Sequence, residues 1–240
     1  MEIRVFDDIK SLAVNAAGMI AVEARLACSE RGRFIMAVSG GSTPKPMLNS
    51  LVNEDVPWKK THFFQVDERV APHGHPDRNI ELLRETILDQ VPINEDHIHP
   101  MPVEEENLLS ATAKYEKILC DIGGSPPVID LVHLGLGSDG HTASLVPGDP
   151  VLDVTEKDVA LTRQYQQRRR MTLTYRIINR SRRILWLVTG AEKSEMLLRL
   201  TLGDESIPAG RVKNESAIIF ADRAAAQLLG QKSYRTRKLS

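Results

Sequence analysis

Short apolar runs alternate along this chain with longer segments of helical spacing, and the runs lead into glycine-rich or charged loops. The clearest run is Phe34–Val38, FIMAV, which contains no polar residue. Such a run is typical of a strand that is buried on both faces of a sheet. Val128–Leu134 and Ile184–Thr189 are similar strand candidates. Repetition of strand, loop and helix predicts an α/β protein with a largely parallel sheet flanked by helices.

The remaining elements follow the same alternation. The further predicted strands are Ile3–Phe6, His62–Val66 and Ala217–Ala221. The predicted helices are Ile9–Glu30, a helix opening at Pro44, Asn79–Leu88, Glu104–Leu119, Lys193–Leu200 and Ala224–Leu229. There is no repeat and no low-complexity linker, so we expect one domain over residues 1–230. Residues 231–240, QKSYRTRKLS, are predicted to be a polar, basic tail.

The charge balance argues against whole classes of partner. Lys and Arg number 31 against 32 Asp and Glu, so no global field favours nucleic acid or a membrane surface. Cys28 and Cys120 lack metal-ligand spacing, which indicates reduced core thiols. The N-terminus has no signal-peptide pattern, and no run of 18 apolar residues occurs. We therefore expect a cytoplasmic protein, either a monomer or a small homo-oligomer.

Four polar loops come directly after predicted strands. They are SGGST from Ser39, DER from Asp67, GLGSDGH from Gly135 and TGAEK from Thr189. Ligands of open α/β sheets bind outside the carboxyl ends of the strands. Because four such loops share one edge of the predicted sheet, we expect a binding site there.

The loop Ser39-Gly40-Gly41-Ser42-Thr43 has the composition of a phosphate cradle. Adjacent glycines let backbone N–H groups converge, hydroxyls add donors, and Pro44 suits the first turn of a following helix. The loop is neither a P-loop nor a G-x-G-x-x-G turn. An ordinary strand-to-helix turn with a Ser or Thr N-cap remains an equal alternative for this loop alone.

Charged residues in two other loops suit an anion. Arg69 could pair a phosphate bidentately, and Asp67 could hold sugar hydroxyls or act as a base, although a solvated strand end is the simpler interpretation. Lys193 near a predicted helix start opposes the helix dipole, a mismatch that a bound anion would relieve. Arg170 begins the alternating segment MTLTY and is a candidate to point inward.

His141 is the candidate general base. It follows a glycine-rich turn at a strand end, with Asp139 two residues earlier to orient the ring. Imidazole titrates near neutral pH and can deprotonate water. No G-x-S-x-G elbow or serine triad is present, so the histidine would activate water. A turn histidine that bonds only local backbone is the alternative.

The other histidines carry no comparable pattern. His73, His75, His97 and His99 are interpreted as loop histidines without a full ligand set, so no metal is predicted. His133 lies within a predicted strand and is expected to be a satisfied core residue.

Together, SGGSTP (39–44), VDER (66–69), GLGSDGHTASLVPG (135–148) and VTGAEK (188–193) resemble the glucosamine-6-phosphate isomerase/6-phosphogluconolactonase family. The resemblance spans nearly the whole chain in the right order. It implies a Rossmann-like, sugar-phosphate isomerase-like fold. It also implies hydrolysis of 6-phospho-D-glucono-1,5-lactone in the pentose phosphate pathway, a small sugar-phosphate substrate, and no cofactor or metal.

The resemblance also assigns roles by position. His141 matches the catalytic base, Asp139 its support, and Asp67 the acidic residue near the sugar ring. The phosphate loop matches Ser39, Gly40, Gly41, Ser42 and Thr43, with Arg69, Arg170 and Lys193 as cationic partners.

Val146 favours the lactonase branch over the deaminase/isomerase branch. That second branch has a glutamate in the corresponding D-G-H-I-A-F-N-E-P loop, and valine cannot transfer protons. A non-catalytic sugar-phosphate-binding regulator is a third alternative, against which the presence of both His141 and Asp139 argues. Departures from the lactonase pattern include Val146 itself, Arg78 where serine is usual, and ADRAAAQLLG at the C-terminal end.

Overall fold

The computed structural model describes residues 1–230 and contains two β-sheets with helices between the strands. The strands are β1 (Glu2–Phe6), β2 (Phe34–Val38), β3 (Thr61–Gln65), β4 (Asp67–Arg69), β5 (Ile98–His99), β6 (Leu131–Gly135), β7 (Val159–Leu161), β8 (Arg170–Leu173), β9 (Arg183–Val188) and β10 (Ala217–Asp222). The α-helices are α1 (Ile9–Arg31), α2 (Lys45–Leu51), α3 (Asn79–Thr86), α4 (Leu108–Gly123), α5 (Tyr175–Ile178) and α6 (Ser194–Thr201).

The main sheet has seven strands in the order β1-β10-β9-β6-β2-β3-β5, and every neighbouring pair is parallel. This arrangement confirms the predicted α/β fold with a parallel sheet. The chain runs from β2 towards β3 on one side and from β6 towards β9 on the other. The strand order therefore diverges between the adjacent strands β2 and β6, which is where open α/β sheets form a crevice.

Apolar side chains cover both faces of this sheet. Ile35 and Ala37 belong to one hydrophobic cluster, whereas Phe34, Met36 and Val38 belong to the other. All five are at most 3% exposed, as the FIMAV run predicts for a central strand. Burial on both faces holds the carboxyl ends of the central strands at fixed positions below the loops.

Helix α1 is long and apolar enough, by length and composition, to cross a membrane. In this fold it packs a row of small and apolar residues against the sheet, including Leu12, Ala16 and Ile20. Asp8 caps its first turn by accepting from Ser11 N–H. The helix is thus a flanking layer of the α/β fold, within one residue of its predicted end.

Two predicted boundaries are wrong for local reasons. Helix α4 starts at Leu108, not at Glu104, because the Asn107 side chain caps it by accepting from Ser110 N–H. Strand β6 starts at Leu131, not at Val128. Just before it, the Asp130 side-chain carboxylate, and not a backbone carbonyl, accepts from Ile35 N–H of the neighbouring strand.

The segment Asp67–Arg69 is a strand, and its assignment as a loop was wrong. It pairs antiparallel with β8, and β8 pairs antiparallel with β7. This second sheet of three strands lay outside the sequence prediction. The predicted helix at Ala224 is also shorter, a single 3-10 turn over Ala225–Leu228.

Both cysteines are free thiols, but they are half-buried and so are not core residues. Burial raises the pKa of each thiol. The predicted basic tail, residues 231–240, lies outside the described residues.

Candidate active site

A cavity of about 230 Å³ opens at the crevice between the ends of β2 and β6. Most of the predicted site residues line it: Ser39, Gly40, Gly41, Ser42, Thr43, Asp67, Arg69, His141, Arg170 and Lys193. Asp139 does not line the cavity and reaches it through His141. The four sequence segments therefore converge on one site, as expected from their positions after the strands, although one of them is itself a strand.

His141 and Asp139 form a hydrogen-bonded pair. The Nδ1 of His141 lies 2.6 Å from Oδ1 of Asp139, and the same oxygen accepts from the His141 backbone N–H at 3.1 Å. A carboxylate can only accept, so Nδ1 carries the proton, and in the neutral ring Nε2 presents its lone pair. The His141 side chain is 26% exposed, which leaves it accessible to a ligand.

Gly137 gives this pair its space. A Cβ at position 137 would lie 2.1 Å from His141 Nδ1 and 2.6 Å from Asp139 Oδ1. The turn is closed by two backbone bonds, from Gly137 N–H to His141 O and from Gly140 N–H to Gly137 O. Position 137 therefore needs glycine, because the imidazole of His141 and the carboxylate of Asp139 lie too close to its backbone for a side chain.

The Asp139 carboxylate is held in its charged form. Burial tends to raise the pKa of Asp139, but hydrogen bonds from the backbone and ring of His141, the positive charge of that ring when it is protonated, and a hydrogen bond from Tyr165 together lower it. Tyr165 donates to Oδ2 at 3.1 Å. Sequence reasoning missed Tyr165, because nothing local to it indicates contact with a residue 26 positions earlier.

The Ser39–Thr43 loop passes over the first turn of α3. A Cβ on Gly40 would lie 2.0 Å from Oδ1 of Asn79, so only glycine fits there. The N-cap of α2 is Pro44, and no side chain caps this helix. The hydroxyls of Ser42 and Thr43 thus have no capping role, which removes the alternative of an ordinary N-cap turn.

Strand β4 separates the three charges of DER by strand alternation. Asp67 and Arg69 line the cavity, whereas Glu68 is fully buried on the opposite side. Asp67 Oδ2 accepts from Ser144 Oγ at 2.5 Å, and its Oδ1 lies 3.3 Å from Asn79 Nδ2. Arg69 donates to the backbone oxygen of Asp77 at 2.8 Å.

Glu68 organises the wall behind the cavity. Its Oε1 accepts from Arg69 N–H and Asn79 N–H, and its Oε2 accepts from Ile80 N–H. The guanidinium of Arg78, 3% exposed, lies 3.2 Å from the same carboxylate. Arg78, which departs from the usual serine, therefore serves as the counter-ion of a buried carboxylate.

Arg170 points inward, as proposed from the sequence, and is only 5% exposed. Its Nη2 donates to Gln166 Oε1 at 3.0 Å, and its Cζ lies 5.0 Å from the centre of the Tyr165 ring. Burial lowers the pKa of Arg170, and the nearby Asp67 carboxylate opposes that effect.

The cavity lining carries more positive than negative charge. Arg69, Arg170 and Lys193 are its cations, and Asp67 is the one carboxylate among its described lining residues. Together with the hydroxyls and backbone of the Ser39–Thr43 loop, these cations suit an anionic ligand such as a phosphate.

His133 is not the satisfied core residue that was expected. It is fully buried, yet it lines the floor of the cavity, and neither ring nitrogen has a hydrogen-bond partner among the described residues. Burial lowers its pKa to about 3, so the imidazole is neutral. His133 belongs to β6, and the apolar pattern of that strand does not reveal that its side chain faces a cavity.

The remaining histidines lie away from the cavity. His62 Nδ1 lies 3.1 Å from His99 Nε2, and the rings of His62 and His97 are 4.1 Å apart. His99 belongs to β5, so its assignment to a loop was wrong. Within residues 1–230, no group of three or more His, Cys, Asp or Glu side chains is arranged to hold a metal ion.

The chain is similar to several known proteins. A family model described as glucosamine-6-phosphate isomerases/6-phosphogluconolactonase matches residues 7–220. A 6-phosphogluconolactonase of Synechocystis sp. is 42% identical over 175 residues, which cover 71% of this chain and 72% of that protein. A 6-phosphogluconolactonase of Nostoc sp. is 32% identical over 231 residues, which cover 93% of this chain and 96% of that protein.

Solved structures give the same result for the fold. The 6-phosphogluconolactonase of Trypanosoma brucei superposes with a TM-score of 0.83 at 27% identity, covering 95% of this chain and 98% of that chain. A monomeric glucosamine-6-phosphate deaminase superposes with a TM-score of 0.84 at 19% identity, covering 95% of this chain and 100% of that chain. The fold is thus common to both branches, and the chain belongs to the glucosamine-6-phosphate isomerase/6-phosphogluconolactonase family.

Proposed function

We propose that this chain hydrolyses 6-phospho-D-glucono-1,5-lactone to 6-phospho-D-gluconate in the oxidative pentose phosphate pathway. The observation that carries the proposal is the Asp139-oriented His141 at the edge of a cavity with an excess of cations. The similarity to the 6-phosphogluconolactonases of Synechocystis and Nostoc supports the same reaction.

The cations define how the substrate would sit. The phosphate docks at the Ser39–Thr43 loop with Arg69, Arg170 and Lys193, all of which line the cavity. Asp67 is fixed by Ser144 and Asn79 and accepts from a sugar hydroxyl. Binding at the phosphate then places the lactone carbonyl, C1, beside His141 and makes the attack effectively intramolecular.

His141 performs the proton transfers. Its Nε2 takes a proton from water as the water oxygen bonds to C1, and the Asp139 carboxylate stabilises the resulting imidazolium. The tetrahedral intermediate then breaks the bond between C1 and the ring oxygen. That oxygen receives the proton from Nε2, which returns the histidine to its starting state.

An assay with freshly generated lactone, corrected for spontaneous hydrolysis, tests the proposal. The wild-type protein should turn the substrate over, and His141→Ala should lower kcat by ~10²–10⁴-fold with little change in phosphate-dependent binding. His73→Ala, on an exposed loop, is the matched control and should retain wild-type kcat. Absence of turnover by the wild type, or unchanged kcat in His141→Ala, would contradict the proposal.

The deaminase/isomerase alternative is disfavoured by Val146. Valine has no group that transfers a proton, and this side chain is 4% exposed and does not line the cavity. Release of ammonia from glucosamine 6-phosphate would instead support the alternative. A protein that binds sugar phosphate without turning over either substrate would be a regulator.

We further propose that the enzyme is a single domain over residues 1–230. It acts in the cytoplasm and needs no cofactor. Limited proteolysis tests the single domain, which should yield no stable fragment smaller than about 1–230. Cell fractionation tests the location, and light scattering distinguishes a monomer from a small homo-oligomer.

A further inference from the structure

Tyr165 lies at the tip of the hairpin that joins β7 to β8. The backbones of Tyr165 and Arg168 exchange two hydrogen bonds, 2.9 and 3.2 Å long, across a two-residue turn. Both turn residues, Gln166 and Gln167, have positive φ, 49° and 65°. Such turns match the twist of antiparallel strands but favour glycine or asparagine. The two glutamines therefore hold a backbone conformation that is unfavourable for residues with a side chain, and this conformation sets the position of the hairpin tip.

Contacts beyond the hairpin hold this tip against the cavity. Arg168 Nη2 lies 3.0 Å from Asp77 Oδ2, which joins the tip to the loop before α3. The Gln166 side chain accepts from Arg170 Nη2. The tip is thus attached at one side to the loop and at the other to a cation of the cavity.

Tyr165 contacts three groups of the site at once. Its hydroxyl donates to Asp139 Oδ2 at 3.1 Å, and its ring meets the His141 ring edge-on, with centroids 5.8 Å apart and an angle of 65°. The guanidinium of Arg170 lies over the face of the same ring. A single side chain therefore links the general base, its carboxylate and a cation of the cavity.

The Tyr165 hydroxyl stays protonated and so remains a hydrogen-bond donor to Asp139. Burial, followed by the Asp139 charge, raises the pKa of Tyr165, so the phenol keeps its proton. Asp139 then accepts from His141 through Oδ1 and from Tyr165 through Oδ2, and a carboxylate held at both oxygens cannot rotate.

We infer that Tyr165 is a positioning residue for the reaction: its hydroxyl fixes the Asp139 carboxylate that orients His141, and its ring fixes the guanidinium of Arg170. The inference rests on the lactone hydrolysis proposed above. The two functions belong to different atoms of the side chain, so two substitutions separate them.

Tyr165→Phe removes the hydroxyl and keeps the ring on Arg170. We expect kcat to fall about tenfold with KM unchanged, as for the loss of one hydrogen bond to a charged group. Without the Tyr165 donor, Asp139 attracts the His141 Nδ1 proton more strongly and favours the imidazolium. The acid limb of the kcat/KM profile should therefore move to higher pH.

Tyr165→Leu removes the ring as well. We expect the same loss in kcat and, in addition, a higher KM and weaker competitive inhibition by inorganic phosphate, because Arg170 loses the surface over which it lies. Tyr175→Phe is the matched control, since the Tyr175 hydroxyl donates to Pro208 O and Tyr175 does not line the cavity. It should leave kcat, KM and the pH profile unchanged.

The charged and titratable groups near His141 are Asp139 and Tyr165 in contact with it, and Asp67, Arg69, His133, Arg170 and Lys193 around the same cavity. NMR titration of the His141 ring in the wild type and in Tyr165→Phe reports the protonation change without turnover. If the wild type lacks lactonase activity, the proposed function fails, while the titration still tests Tyr165. If the wild type is active and Tyr165→Phe has an unchanged kcat, pH profile and ring titration, the inference about Tyr165 is wrong.

Discussion

Ser144 donates from its hydroxyl to Asp67 Oδ2 over 2.5 Å, which joins the histidine-bearing loop to β4 across 77 residues of sequence. Both residues are buried: Ser144 is fully buried, and Asp67 is 5% exposed. Through this bond the loop that follows β6 fixes a carboxylate on the second sheet. The position of Asp67 in the cavity thus depends on contact between the second sheet and a loop that follows a strand of the main sheet.

Ser144→Ala should lower kcat/KM for the lactone about tenfold, because Asp67 loses a hydrogen bond to its charged oxygen and is no longer fixed. Ser181→Ala is the matched control, a nearly buried serine whose hydroxyl bonds the backbone of Ile178. It should keep its activity. Steady-state kinetics on both variants checks the prediction, and equal activity in the two would contradict it.

Gly137→Ala should lower kcat by about 100-fold, because the added Cβ would lie 2.1 Å from His141 Nδ1 and displace the imidazole. Gly135→Ala provides the comparison, since a Cβ there meets nothing within 4 Å. It should lose much less activity. Inhibition by inorganic phosphate should be similar in both variants, which would separate a misplaced base from a damaged anion site. Equal kcat values in the two variants would show that the backbone yields to the new methyl group.

Arg69→Ala and Lys193→Ala should each raise KM by roughly 10- to 100-fold while changing kcat much less, because each removes a charged partner of the phosphate. Inorganic phosphate should also become a weaker competitive inhibitor. Lys45→Ala is the control, because Lys45 pairs with Glu85 and does not line the cavity. A fall in kcat at unchanged KM would instead place these cations at the reacting carbonyl.

Glu68→Gln should destabilise the fold by on the order of 3 kcal/mol, because the buried Arg78 would lose its buried counter-ion and keep only a partly exposed carboxylate partner. Glu104 is the other carboxylate near Arg78, and its side chain is 46% exposed. Glu104→Gln should therefore cost less than about 1 kcal/mol. Urea unfolding at neutral pH measures both values, and a larger effect from Glu104 would reverse the assignment.

His62→Gln should reduce the sensitivity of the protein to acid. Burial, together with neighbouring positive groups, lowers the pKa of His62 and of His99 from 6.5 to about 4. Between these pH values the unfolded chain binds protons that the folded chain does not, so stability is full above pH 6.5 and falls as the pH drops towards 4. Partial exposure reduces the size of the effect.

The free energy of unfolding, measured from pH 7 to pH 4, should therefore fall less steeply in His62→Gln than in the wild type. His73→Gln, on an exposed loop, should follow the wild-type curve. A His62→Gln curve that also parallels the wild type would mean that these imidazoles become protonated without unfolding.

Much of the architecture is visible in local patterns. The wholly apolar Phe34–Val38 run identifies a central strand, because only burial on both faces tolerates five such residues in succession. The placement of His141 and of the Ser39–Thr43 loop follows from their positions after parallel strands, whose carboxyl ends share one edge of the sheet. These conclusions need only the order of elements along the chain.

The second sheet and the partners of the site required long-range contacts. Asp67–Arg69 is too short to be recognised as a strand, and it becomes one only because β8 supplies its backbone partners. Tyr165 is next to Asp139, and Asn79 is next to Gly40, only after the chain has folded. Chain order is thus sufficient to predict which loops meet at the sheet edge. Packing between distant segments decides which side chain orients the base, which carboxylate is fixed and which histidine lies on the cavity floor, because these depend on distances that no local pattern encodes.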